Sequence, residues 1–314
     1  MICNYCGCAD SDIIAEYTRL ERNNVRQCRN CGLVYLEIKK DKSEIELFYS
    51  SEYRKIPTSP ILTPEEHFHS EVIQNDADNR IRFITNHMEV RGKRILEIGS
   101  ASGSFLQKLS EYGCQETIGI ELTEEYAEYA RQKGFKVFTR PIEELNFRQE
   151  FDGIVSFFTL EHVYDPMAVI KATQVALRPK GSFFGEVPNQ NDWRVQIFDD
   201  EVARRFHYDP NHYYYYSPTT LKNYLETCGF TNISFETYER YNSLVQLRNI
   251  LCKQNLEKDI EEAIRKYIFP EDKKDEVRLP DTADMVGATF NKLFERGVNS
   301  ELMGNIWRFA AYNK

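Results

Sequence analysis

The run ILEIGSASGSF (95–105) reads as a short apolar strand, a turn of small residues and the start of a helix. Gly99, Ser100, Ala101, Ser102 and Gly103 leave the backbone of that turn open to a ligand. The helix start adds free N–H groups that can meet a carboxylate or phosphate. No Gly-Lys-Ser/Thr follows, so this is not a phosphate-binding P-loop. Gly99, Ala101 and Ser104 occupy the three glycine places of the dinucleotide fingerprint, and two of the three are not glycine. Glu97 stands two residues before Gly99, at the strand end. A carboxylate there would repel a pyrophosphate and suit a ligand that carries an ammonium group. Glu121 closes TIGIEL (117–122), 18 residues beyond Gly103. An acid at the tip of the next strand can accept both hydroxyls of a ribose. The competing reading of Glu121 is a solvated residue flanking a helix.

The surrounding texture repeats the pattern. Apolar runs RILEIG (94–99), TIGIEL, FKVF (135–138), FDGIVSF (151–157) and GSFFGEV (181–187) alternate with helical patterns at 103–112, 123–133 and 166–178. Gly113, Gly134 and Pro179-Lys180-Gly181 punctuate them as helix ends. Such alternation predicts an α/β fold, a parallel sheet with helices on both faces. Upstream, Phe68, Val72, Ile81 and Ile84 predict a helix from Glu65 to about Val90. Downstream, 218–228 reads as a helix stopped by Gly229, 231–238 as a strand, and 241–300 as largely helical. NIWRFAAY (305–312) reads as a closing strand.

The chain has 314 residues, with 40 Lys+Arg against 49 Asp+Glu, a formal charge of −9. That balance argues against nucleic acid and anionic membranes as partners, since both are polyanions. No run of 18 apolar residues predicts a membrane span, and MICNYCGCAD lacks the basic and apolar regions of a signal peptide. A cytoplasmic location is expected. Five of the eight cysteines lie in the first 31 residues. Cys3-x2-Cys6 and Cys28-x2-Cys31 are each followed by glycine, Gly7 and Gly32, which permits a tight turn with both sulfurs aimed at one ion. Four thiolates suit a tetrahedral, closed and therefore structural zinc site. The alternative is a reduced thiol cluster or a redox pair. The chain divides on this reading into a zinc module (1–36), a charged and proline-bearing linker (37–64) and an α/β domain (65–314). Residues 239–300 form a helical insertion or cap, with Leu244, Leu247 and Leu251 on one face and Arg240 and Arg248 nearby.

Taken together, ILEIGSASGSF, the acidic tip IGIEL, RPIEEL (140–145), FDGIVSFFTLEHVYDP (151–166) and LRPKGSFFGEVPN (177–189) resemble the class I S-adenosylmethionine-dependent methyltransferases. The family often has glycine where Ala101 stands. The resemblance implies a Rossmann-like, seven-stranded, mostly parallel sheet whose last strand is antiparallel, with NIWRFAAY as that strand. It implies that Glu97, Gly99, Ser100, Ala101 and Gly103 surround the methionine part of S-adenosylmethionine. Glu121 would hold the ribose with Leu122 beside it, and Ile142 and Glu143 would flank adenine. Phe157, Phe158 and Leu160 would line the cofactor, although buried aromatics such as Phe157 and Phe158 equally suit core packing. A cysteine head on such a domain resembles a bacterial subgroup that works on sugars, polysaccharides or secondary metabolites. A small-molecule acceptor, a sugar or nucleotide sugar, is the implied partner.

Methyl transfer needs the acceptor positioned, water excluded and, for an alcohol or carbon acid, a base. Two places offer one. Glu161-His162 follows the fourth strand, and FHYDPNHYYYYSPTTL (206–221) carries His207, Asp209 and His212 before Tyr213–Tyr216. Each histidine also has a structural reading, as a partner of backbone groups. Asp199, Asp200 and Glu201 read as solvated loop charge. The segment around His212 is similar to nucleotide-sugar C-methyltransferases, where a Glu-His pair precedes a serine by five residues. His212 and Ser217 keep that spacing, but Asn211 replaces the Glu and Asp209 stands where a Tyr would be. An oxygen acceptor is therefore favoured over carbanion chemistry. The remaining alternatives are an RNA methyltransferase that reads through its zinc head, and a non-enzymatic cofactor-binding scaffold.

Overall fold

The computed structural model of the chain describes residues 2–19, 21–37, 41–53, 63–192, 195, 207–238, 240 and 305–314. In chain order the elements begin with β1 (Ser11–Tyr17), β2 (Arg22–Cys28), β3 (Val34–Leu36) and α1 (Lys42–Leu47), followed by a π turn at Phe48–Glu52. Next come α2 (Pro64–His69), α3 (Glu71–Thr85), β4 (Arg94–Ile98), α4 (Ser104–Glu111), β5 (Glu116–Ile120) and α5 (Glu124–Gln132). β6 (Lys136–Phe138), β7 (Phe151–Phe157), α6 (Pro166–Ala176) and β8 (Leu177–Pro188) complete the alternating part. β9 (Tyr214–Tyr215), α7 (Pro218–Thr227), β10 (Thr231–Tyr238) and β11 (Ile306–Tyr312) follow.

Seven strands form one sheet in the order β10-β11-β8-β7-β4-β5-β6. β4 runs parallel to β5 and β7, β5 to β6, and β7 to β8. β11 is antiparallel to both neighbours, as the closing strand was expected to be. The Rossmann-like α/β expectation is met. β7 is buried at six of its seven positions, which is what a strand covered on both faces requires. The chain leaves β4 toward β5 on one side, while β7 lies on the other. The strand order therefore reverses beside β4, and a crevice opens at the carboxyl ends there.

Three stretches differ from the sequence reading. The helix expected from Glu65 breaks into α2 and α3 at Ser70, whose ψ of 128° is extended. Ser70 takes the extended conformation of an N-cap, a position serine favours, and starts α3 without a side-chain hydrogen bond. The helix expected to reach 178 ends at Ala176. Leu177 pairs with Phe151 and Ser182 with Gly153, so the stretch between them bulges, with Lys180 at φ 64°. The third is the segment read as a linker, 37–64, which contains α1 and the π turn. Asp41 accepts from the Glu44 N–H while Glu44 accepts from the Asp41 N–H, a reciprocal cap that starts α1. The expected helices between 241 and 300, with Leu244, Leu247, Leu251 and Arg248, lie outside the described residues, as do Asp199, Asp200 and Glu201. No helix among the described residues is long and apolar enough to cross a membrane.

The second sheet is antiparallel and joins distant parts of the chain, in the order β1-β2-β3-β9. Val34 pairs with Tyr215 and Tyr35 with Tyr214. The Leu36 N–H donates to the Tyr213 carbonyl at 3.0 Å. Arg19 pairs with Asp209 at 3.2 Å, and the Tyr5 and Tyr224 rings lie 4.7 Å apart. Tyr213 to Tyr216 are all buried, in an apolar cluster that runs from Val25 and Leu33 in the head to Leu96 and Trp307 in the main sheet. The tyrosine run is thus a strand that fastens the head to the domain.

Candidate functional site

A cavity of about 600 Å³ opens at the carboxyl ends of β4, β5 and β7. That size lies within the range of small-molecule sites. Glu97, Gly99, Ser100, Ala101, Glu121, Leu122, Ile142, Glu143, Phe157 and Phe158 all line it, together with His162 and His212. Ten of the twelve residues assigned to a cofactor from the sequence therefore share one wall. Gly103 and Leu160 do not. Gly103 is the N-cap of α4, and Leu160 is packed in the core with its carbonyl accepting from the Tyr216 hydroxyl at 3.0 Å.

The turn is built by backbone conformation. Gly99 has φ 82°, and a Cβ there would collide with Thr159 Oγ1, whose hydroxyl donates to the Ile98 carbonyl. Ala101 is left-handed as well, at φ 45°. An L-residue pays about 1–2 kcal/mol for that region, part of which glycine would return as unfolded-chain entropy. Ala101→Gly is expected to stabilise the protein by roughly 0.5–1 kcal/mol, read as a small rise in the midpoint of denaturant unfolding. The Ala101 N–H donates to Glu121 Oε2 at 2.9 Å, and the Thr123 N–H donates to Glu121 Oε1 at 2.8 Å. Glu121 is thus held at the β5 tip rather than solvated.

Glu97 is 4% exposed, and its Oε2 has no hydrogen-bond partner among the described residues. Burial pushes its carboxyl up to about 8; Arg80 pulls it down and Glu121 pushes it further up. Arg80 is itself committed, since its Nε donates to Glu186 Oε2 at 2.7 Å while Arg308 Nε donates to Glu186 Oε1 at 2.8 Å. Burial pushes the Glu186 carboxyl up, but the two guanidiniums hold it below the ordinary glutamate range. The Arg80 guanidinium also covers the Phe157 ring at 4.5 Å, so Phe157 both packs and lines the cavity. Phe158 turns at φ 51° and lies under Arg240, which is paired with Asp76.

Beside the same cavity the two sequence candidates for a base meet. One ligand atom each from Glu161, His162 and His212 lie within 4.8 Å of one another. His162 Nδ1 is 2.8 Å from the Asn211 carbonyl and 2.9 Å from the Tyr49 hydroxyl, which itself donates to that carbonyl. His162 thus has the backbone partner of its structural reading and still faces the cavity. The His162 and His212 rings are 4.8 Å apart. Burial pushes the His212 imidazole well below its usual value, with His162, Arg19 and His207 acting in the same direction.

Tyr49, Tyr53, His67, Arg80 and Tyr126 also line the cavity, and the sequence reading named none of them. The reciprocal cap Asp41-x2-Glu44, followed by Phe48-Tyr49, was the available signal for the first two. His67 Nδ1 lies 2.7 Å from Ser102 Oγ.

Away from the cavity, the four head thiols gather as their spacing suggests. The sulfurs of Cys3, Cys6, Cys28 and Cys31 lie within 4.8 Å of one another, with Cys3–Cys31 at 3.6 Å and Cys6–Cys28 at 3.5 Å. Tetrahedral zinc with ~2.3 Å bonds sets its sulfurs roughly 3.8 Å apart, so the donor set fits. Gly7 and Gly32 take φ 70° and 76°, as the two turns need. Cys8 faces Asp10 instead, accepting from its N–H at 3.4 Å.

A family model described as a methyltransferase domain matches residues 68–235. The ubiquinone biosynthesis O-methyltransferase of Idiomarina loihiensis is 35% identical over 129 residues, 38% of this chain and 53% of that protein. The protein of the same name from Xanthomonas euvesicatoria pv. vesicatoria is 27% identical over 182 residues, 54% of this chain and 76% of that protein. The chain thus spans about half the length of the first relative and about three quarters of the second. A SAM-dependent methyltransferase structure from Archaeoglobus fulgidus aligns with a TM-score of 0.51 at 20% identity, over 79% of this chain and 97% of that one. A phosphoethanolamine N-methyltransferase 2 from Haemonchus contortus, bound to phosphomonomethylethanolamine and S-adenosylhomocysteine, gives 0.53 at 15% identity, over 90% and 62%. Both likenesses show the fold.

Proposed function

Because the chain belongs to the methyltransferase-domain family, we propose that it transfers the methyl group of S-adenosylmethionine to a hydroxyl oxygen of a small polar acceptor, a sugar or nucleotide sugar. The observation that carries this reading is Glu97, a buried acid with an oxygen unpartnered among the described residues, on the same cavity wall as the anchored Glu121. Glu97 would accept the donor's ammonium group. Glu121 would receive the ribose hydroxyls, and Ile142 and Glu143 would flank the adenine. The donor, when bound, supplies a methyl group already activated on a sulfonium. The chain's own work is to align the acceptor oxygen, exclude water and assist loss of the hydroxyl proton. His162 and His212, which line the same cavity, and Glu161 beside them would serve that last task. Among the head residues, Cys3, Cys6, Cys28 and Cys31 would hold one structural zinc ion, which supplies folding free energy and no chemistry.

A second reading of the acceptor has its own support. The relatives in Idiomarina and Xanthomonas are named for ubiquinone biosynthesis, and Tyr49, Tyr53 and Phe158 give the cavity aromatic walls. A phenolic hydroxyl would stack there. Turnover of labelled donor with nucleotide sugars against catechols separates the two.

Donor binding has a pH signature. A cationic ligand prefers ionised Glu97, whose carboxyl in the empty site titrates at about 8. Binding below that pH must expel the proton, so affinity falls as pH falls. S-adenosylmethionine should bind roughly tenfold more weakly at pH 6 than at pH 7, a range in which its own ammonium group stays largely protonated, with release of nearly one proton at pH 7. Calorimetry in buffers of different ionisation enthalpy reads both. Glu97→Gln should weaken binding and erase the dependence; affinity that ignores pH in the unaltered protein would count against the assignment.

A further inference from the structure

We propose that Glu161, His162 and His212 together hold one divalent transition-metal ion at the acceptor end of the cavity. Glu161 is 0% exposed, and neither of its carboxylate oxygens has a hydrogen-bond partner among the described residues. The neighbouring His212 Nδ1 is likewise buried and unpartnered among the described residues. Buried polar atoms are rarely left in this state, because each costs its desolvation. A proton on Glu161 would satisfy one of these atoms at most, and a water molecule has only two hydrogens to give. A cation can take lone pairs from the carboxylate and both imidazoles at once, and the three ligand atoms already lie within 4.8 Å of one another.

The surroundings of His162 point the same way. The Tyr49 hydroxyl donates to the Asn211 carbonyl, and His162 Nδ1 lies 2.8 Å from that same oxygen. We assign the proton at this position to Nδ1, which leaves Nε2 as the ligating atom. A ring nitrogen donating to a carbonyl is the usual support of a metal-binding histidine, fixing tautomer and orientation together. Tyr49 and Asn211 are therefore positioning residues for this site. His162 and His212 border the cavity, so the remaining coordination places open toward the acceptor. Two imidazoles and one carboxylate suit zinc, iron(II), cobalt(II) or manganese(II) rather than magnesium or calcium, which take oxygen ligands. The site differs in donor set from the four thiolates of the head. An ion here would lower the pKa of a hydroxyl bound to it. That use rests on the hydroxyl-acceptor reading, whereas the site itself does not.

Cobalt(II) titrated into the full chain, purified with its head metal in place, tests the proposal. One equivalent should bind with the weak visible bands of nitrogen and oxygen ligation and without a thiolate charge-transfer band. Glu161→Gln and His212→Gln should each weaken that binding by about 100-fold or more, with the metal content of the head unchanged. X-ray absorption of the cobalt-loaded unaltered protein, which requires no variant to fold, should show two imidazole ligands. No cobalt beyond the head, uptake with thiolate bands only, or an affinity in both variants equal to that of the unaltered protein overturns the site. Donor binding with the pH signature of Glu97 would survive any of those results, so the two readings fail separately.

Discussion

Replacing His212 by alanine should lower kcat by about 10²–10⁴-fold while leaving S-adenosylmethionine affinity within about twofold, the range expected when a group assisting proton loss is removed. The separation follows from the position of the side chain. The donor wall is made by the ends of β4 and β5, with Glu97 and Glu121 in place, whereas His212 comes from a different part of the chain, the 207–216 segment. Stopped-time assays with labelled donor give kcat, and calorimetry gives the affinity. Full turnover in His212→Ala would remove the histidine from the reaction. A loss of donor binding equal to the loss of turnover would mean that the change had disturbed the whole cavity.

Removing a head ligand should do more than unfold the head. Cys28→Ser, or stripping the metal with a chelator and a thiol reagent, is expected to cost about 4 kcal/mol, a fraction of the free energy a structural zinc ion contributes. At 2–4 °C per kcal/mol this lowers Tm by roughly 10 °C. Turnover should fall in parallel, because β3 pairs with β9 and the Leu36 N–H holds Tyr213, the residue after His212. Differential scanning calorimetry, zinc release measured colorimetrically and the turnover assay together check this. Unaltered protein that yields no zinc, or a Cys28→Ser variant with unchanged Tm and turnover, would exclude a metal-held head.

The contrast between these two sites explains what was legible in the residues. The glycine-rich turn, Glu97 and Glu121 could be read from order alone, because backbone conformation and strand tips fix them locally. The strand pattern of β4 to β8 was equally plain, since buried parallel strands are apolar almost throughout. β9 was not legible: four consecutive tyrosines show no alternation, and their strand partner lies about 180 residues earlier. Tyr49 was hidden for a related reason. It sits in a polar stretch, and only tertiary packing brings its hydroxyl 2.9 Å from His162. The meeting of Glu161 with His212 likewise depends on Tyr213 and Tyr214 donating to the Glu161 carbonyl, at 2.7 and 3.3 Å.

The β3–β9 pairing also orders events during synthesis. β1, β2 and β3 leave the ribosome long before Tyr214, so the head waits with one edge unpaired while about 180 further residues are made. An open edge of this kind is a template for the wrong strand, and closing it late is slow because the contact is so distant in the chain. Nascent chains arrested before Tyr214 should therefore aggregate or recruit chaperones through the head, and a circular permutant that begins at β9 should mature faster than the natural order.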